Sequence, residues 1–107
     1  MKKTLAILLV LMLSTILSVP GFAEGTISVN LKTLSSEYWQ NVKSGCDAAA
    51  AELGATIDVQ GASAETEIAE QVAQLETQLA ANPAAIVIAP LDGDAVIGVL
   101  QSSGYKG

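Results

Sequence analysis

The chain has 107 residues, half of them hydrophobic, with five lysines, no arginine, no histidine, one cysteine, eleven acidic residues and a net charge of −6. Phosphate recognition needs clustered Lys and Arg, which excludes nucleic acid as a partner. Without histidine, and with Cys46 alone, there is no imidazole metal site, no Ser–His or Cys–His nucleophile–base pair and no internal disulfide.

Residues 1–23 read as a secretory signal peptide. Lys2 and Lys3 precede the apolar run from Leu5 to Leu17, and Gly21-Phe22-Ala23 supplies the small-residue cleavage site. The run contains Ser14 and Thr15 and stops at Pro20-Gly21, short of the roughly 20 apolar residues that a membrane-spanning helix needs. Cleavage after Ala23 leaves residues 24–107, with three lysines against eleven acidic side chains and a charge of −8. Such acidity reflects solubility more than recognition. Cys46 lies too far beyond the cleavage site to be a lipid-anchored first residue, and is expected as a small buried side chain on a helix.

From Thr26 to Leu31, Ile27, Val29 and Leu31 alternate with Ser28 and Asn30, the period of a strand with one buried face. Tyr38 to Leu53 then places Trp39, Val42, Cys46, Ala49, Ala50 and Leu53 at spacings of three and four. Ser36 is available as N-cap and Gly54 as C-terminal stop, which predicts an amphipathic helix. A short strand follows at Thr56 to Gln60. After Gly61 to Ser63, a second helix carries Ile68, Val72, Leu75 and Leu79 on one face, with Glu65 and Glu67 in its first turn. Asn82-Pro83 ends that helix. The continuous run Ala84 to Ala89 predicts a parallel strand covered on both faces, closed by Pro90. A third helix starts near Asp92 to Asp94, one of which caps it, carries Val96, Ile97, Val99 and Leu100, and ends at Gly104.

The order βαβαβα implies right-handed crossovers, hence an α/β fold of three layers in which helices cover both faces of a parallel sheet. Three strands leave unpaired edges that invite association, and Gly107 falls where a next strand would start, so the chain reads as truncated. Ligands of open parallel sheets bind beyond the carboxyl ends of the strands. The relevant segments are therefore Lys32 to Trp39, Gly61 to Glu65 and Pro90 to Asp94. The first holds Lys32, Ser35, Ser36, Tyr38 and Trp39, including two of the chain's four aromatic residues and its only Trp.

The stretch Ile27-Ser28-Val29-Asn30-Leu31-Lys32-Thr33-Leu34-Ser35-Ser36-Glu37-Tyr38-Trp39 resembles the first strand and loop of ribose- and allose-type periplasmic sugar-binding proteins. The resemblance continues through Val42-Lys43-Ser44-Gly45, the Ala-rich helix ending Glu52-Leu53-Gly54, the strand Ile86-Val87-Ile88-Ala89-Pro90, and Asp92-Gly93-Asp94-Ala95-Val96. It implies a periplasmic-binding-protein type I fold, with residues 24–107 forming part of the N-terminal lobe of a two-lobed protein. Such a protein closes around a monosaccharide and presents it to the membrane permease of an ATP-driven (ABC) importer, with a chemoreceptor as a further partner. By the same resemblance Lys32, Ser36, Tyr38 and Trp39 fall at ligand-binding positions. An aromatic face can cover the C–H face of a sugar ring, while an ammonium or hydroxyl bonds its hydroxyls.

Ser36 and Glu37 stand where the family usually has Asn and Pro, so the identity of the sugar does not carry over. Asn30 is a further departure, an amide in a strand position where an apolar residue is expected. Other readings of single residues remain open: Trp39 also lies on the apolar stripe of the first helix, and Lys32 is equally a solvated residue after a strand. Asp92 and Asp94 read as capping and surface residues rather than a catalytic pair. Glu65, Glu67, Glu70 and Glu76 read as a solvated helix face. The expectation is an exported, periplasmic binding protein with no catalytic residues, metal or cofactor. The alternative of another class is the ligand-sensing extracellular module of a receptor with the same fold. A third class, an exported hydrolase, lacks a catalytic constellation.

Overall fold

The computed structural model describes residues 25–107; the signal peptide read in residues 1–23 lies outside the described residues. Strand β1 (Thr26–Leu31) leads through helix α1 (Glu37–Leu53) to β2 (Thr56–Gly61). Helix α2 (Ile68–Ala80), strand β3 (Ala85–Ile88) and helix α3 (Gly93–Ser103) follow. The strands form one parallel sheet in the order β2-β1-β3, with Thr26 opposite Thr56 and Ile27 opposite Ala85. The chain thus moves outward from β1 to β2 and then returns across β1 to β3. Right-handed crossovers in opposite directions place α1 on one face and α2 on the other, giving the three layers expected from the sequence.

Parallel register partners share a face, which assigns the side chains of β1. Ser28 and Asn30 lie with Ile86 and Ile88 on the α2 side, where Leu75, Leu79 and Val96 form the apolar core with Val99, Leu100 and Tyr105 packed against it. Leu75 is fully buried, contributing about 1.5–3 kcal/mol relative to an exposed side chain. Tyr105 ties the end of α3 to the loop before β3 by donating its hydroxyl to the Pro83 carbonyl at 3.0 Å.

The opposite face is thinner. Val29 and Leu31 are buried there, but α1 has no buried residue of its own. Val42, Cys46, Ala49 and Ala50 are half-buried and Leu53 is exposed, so Cys46 is a partly covered helical side chain rather than a buried one. The expectation that β3 is covered on both faces also fails. Val87 shares its face with Val29, and no described element lies over it, leaving it 54% exposed.

Caps explain three of the six helix boundaries. Gly54 and Gly104 end α1 and α3 with φ of 63° and 69°, in the left-handed region that glycine enters without a Cβ penalty. Asp92 accepts a 2.8 Å bond from Ala95 N and so caps α3, the role expected of one of the acidic residues there.

Helix α2 begins later than the sequence predicts. Glu65 and Glu67 precede it, because residues 64–68 turn through bonds from Glu67 N to Ala64 O and from Ile68 N to Thr66 O. Glu70, in the first turn, reaches back to Ser63 and accepts from its hydroxyl at 2.6 Å and its amide at 3.0 Å. These two bonds, the hydroxyl first, hold the Glu70 carboxyl below the usual carboxylate range. A depressed pKa means that the clasp is intact above the ordinary carboxyl titration and is lost as pH falls through the lowered value. Ser63→Ala is expected to raise the Glu70 pKa, read from its carboxyl carbon in an NMR titration; an unchanged titration would show that the clasp does not persist in solution.

Candidate functional site

Strands β1, β2 and β3 all end on one edge, and the loops leaving that edge are the candidate site. The β1–α1 loop is held by its own polar groups. Thr33, 2% exposed, accepts from Ser35 N at 3.0 Å and pairs with the Ser35 hydroxyl at 2.8 Å. This local turn replaces the strand ladder. Leu34 N donates to Ala62 O at 3.2 Å, binding this loop to the start of the next, while Gln40 Nε2 donates to Leu34 O at 3.1 Å from within α1. The close approach explains Gly61. A Cβ there would stand 2.9 Å from the Leu34 side chain and 3.0 Å from the Thr33 carbonyl carbon, so a larger residue would push the loop outward.

On this braced loop Ser36 occupies the N-cap position of α1 with extended backbone, φ −106° and ψ 147°, but its hydroxyl makes no capping bond. Tyr38 and Trp39 follow in the first turn. Their rings meet edge to face, with centroids 4.9 Å apart and planes at 87°, a favoured arrangement for two aromatic quadrupoles. Tyr38 is 67% exposed. Trp39 is half-buried, and its indole Nε1 donates to Glu65 Oε1 at 3.0 Å, so the β2–α2 loop fixes the ring. Lys32 stands half-buried directly after β1. The ion pair among the described residues joins Lys43 to Asp47 on α1 and does not involve Lys32.

The structure therefore brings Tyr38 and Trp39 together and adds Glu65, which the sequence reading had assigned to a solvated helix face. Its place in the loop beyond β2 was the available signal. Lys32 and Ser36 precede the aromatic pair in sequence without hydrogen bonds to it among the described residues. Two depressions, of about 590 Å³ between α2 and α3 and about 410 Å³ between α2 and β2, contain none of these residues. Exposed ring, pinned ring, ammonium and hydroxyl thus lie along one open edge of the sheet, not in an enclosed pocket. Chemically it offers π faces together with hydrogen-bonding groups of both kinds, which suits a polyhydroxylated ring.

The periplasmic binding protein domain family matches residues 27–105. This chain belongs to that family. Among solved structures it is similar to a carbohydrate transporter solute-binding protein from Agrobacterium radiobacter in complex with D-arabinose. The two share 38% identity with a TM-score of 0.66 over 77% of this chain and 29% of that one. It is also similar to an ABC transporter solute-binding protein from Agrobacterium vitis with bound D-fucose, at 41% identity and a TM-score of 0.67 over 74% and 28%. A periplasmic solute-binding protein from Actinobacillus succinogenes 130z with bound D-allose shares 26% identity at a TM-score of 0.64 over 76% and 29%. No curated protein matches the chain. The chain spans less than a third of the length of these solved structures. The family and these likenesses bear out the resemblance seen in the sequence and its fold class, with the three-stranded parallel sheet in place.

Proposed function

We propose that this chain is part of an exported solute-binding protein that captures a monosaccharide in the periplasm and delivers it to the permease of an ATP-driven importer. Residues 24–107 act as part of its N-terminal lobe, and residues 1–23 as the export signal. The observation that carries the reading is the exposed Tyr38 ring against the Glu65-pinned Trp39 ring at the carboxyl edge of the sheet. It supports the reading because the relatives at 38% and 41% identity hold D-arabinose and D-fucose. Tyr38 and Trp39 cover the sugar's C–H faces, while Lys32 and Ser36 bond its hydroxyls. The role is binding, without a catalytic step.

Magnitudes limit what this edge does alone. Two stacking contacts at about 0.5–1.5 kcal/mol each and one charged hydrogen bond at about 1.5–3 kcal/mol centre on roughly 4 kcal/mol, a millimolar affinity. Micromolar capture needs about twice that, so an opposing lobe supplies the remainder. Isothermal titration of the chain against a panel of pentoses and hexoses is expected to give millimolar binding to at least one of them. Micromolar binding would contradict the need for an opposing surface, and no binding would contradict the sugar site itself.

A further inference from the structure

Strand β3 stops at Ile88, two residues before Pro90. Ala89 N makes a last ladder bond to Asn30 O at 2.9 Å, and Pro90 then has no N–H to continue it. The two backbone groups beside this break, Ala89 O and Leu91 N, are both taken by one side chain. Gln71 Nε2 donates to Ala89 O at 3.0 Å, and Gln71 Oε1 accepts from Leu91 N at 2.7 Å. A carboxamide presents the same donor and acceptor as a peptide unit, so Gln71 continues the sheet edge with its side chain. The same Nε2 also faces Leu31 O at 3.2 Å and Asn30 Oδ1 at 3.1 Å on β1, its two hydrogens shared among three acceptors. Gln71 is 1% exposed, so water does not replace these bonds.

Position turns this local repair into a consequence for the site. Leu31 immediately precedes Lys32, and Leu91 immediately precedes Asp92, which caps α3. Both of these loops at the carboxyl edge of the sheet therefore depart from atoms that Gln71 holds. We propose that Gln71 is a positioning residue for ligand recognition, fixing the ends of β1 and β3 against each other so that Lys32 and the β3–α3 loop face the ligand in one arrangement. The inference rests on the sugar-binding reading of the same edge.

The test uses the full chain with two readouts: hydrogen-exchange protection of the Leu91 amide, and the NMR response of the Trp39 indole and Lys32 to D-arabinose, D-fucose and D-allose. Gln71→Leu is expected to lower Leu91 protection about tenfold or more, as for the opening of one buried hydrogen bond. It is also expected to weaken the sugar response several-fold. Gln71→Glu adds a second, polar variant, because its protonated carboxyl again carries one donor and one acceptor. Leu91 protection in that variant, corrected for intrinsic exchange, should recover as pH falls. Leu79→Ala, in the apolar core, should melt earlier yet keep both readouts. Unchanged Leu91 protection in both Gln71 variants, or lost protection with an unchanged sugar response, would overturn the proposal. A wild-type chain that answers none of the three sugars would instead overturn the sugar reading, and this proposal with it, whereas failure of the Gln71 role alone leaves the wild-type response intact.

Discussion

Asn30→Ala is expected to lower the unfolding free energy by about 1–3 kcal/mol, because a buried polar group left without its partner costs about that much. Asn30 is fully buried; its Nδ2 donates to Gln78 Oε1 at 2.9 Å, and its Oδ1 accepts from Gln71 Nε2. Gln78 Nε2 in turn approaches Val29 O and Asp58 Oδ2, each at 3.2 Å. Truncating Asn30 leaves Gln78 Oε1 without its donor at a site 3% exposed. A chain of this size has a total stability on the order of 5–10 kcal/mol, so the loss is a large fraction of it. Replacing both partners, Asn30→Leu with Gln78→Leu, should recover only part of the loss, because it leaves neither amide unpaired but removes the bonds from Gln78 Nε2 to Val29 O and Asp58 Oδ2. Urea melts of the two single variants and the double variant measure the coupling. A single-variant loss under about 0.5 kcal/mol would show that the amides are solvated in solution.

The second large effect concerns recognition. Replacing Tyr38 and Trp39 together by alanine should remove about 1–3 kcal/mol of sugar affinity, roughly a 5- to 150-fold loss from a millimolar starting point. Tyr38 is two-thirds exposed, so its removal alone costs little stability, and its effect on affinity reports contact with the ligand. Trp39 is different because Glu65 fixes its indole. Glu65→Gln keeps an acceptor for Nε1 and should retain the affinity, whereas Glu65→Ala frees the ring and should weaken binding without touching either aromatic residue. NMR titrations monitored at Lys32 provide the comparison, and equal affinities for the double alanine variant and the wild type would remove the aromatic pair from the site.

Periodicity made the elements of this fold legible, because the apolar positions of β1 and of each helix repeat at the spacing of their secondary structure. Gly54 and Gly104 marked two helix ends, and Asp92 marked a start. What stayed hidden was carried by polar side chains acting over long sequence separation. Asn30 reads as a flaw in a strand until Gln71 and Gln78 supply its partners from α2, 41 and 48 residues away. Glu65 reads as helix surface until the turn at residues 64–68 delays α2 and leaves the carboxylate against Trp39. The exposure of Val87 was equally illegible, since an apolar run records what a strand prefers and not what covers it. At the candidate site, the aromatic pair was visible as two adjacent residues opening a helix, while the bonds that brace its loop through Thr33, Gln40 and Ala62 have no sequence pattern of their own.

Trp39 is the only tryptophan in the chain, so fluorescence excited selectively at the indole, where Tyr38 and Tyr105 do not absorb, reports on the proposed site. Titration of the chain with D-arabinose, D-fucose and D-allose is predicted to give a saturable change in Trp39 emission with at least one of them, at millimolar midpoint. The change should vanish in Tyr38→Ala/Lys32→Ala. Emission unaltered by all three sugars, in a chain whose circular dichroism shows the α/β fold intact, would contradict the claim that this edge recognises a monosaccharide.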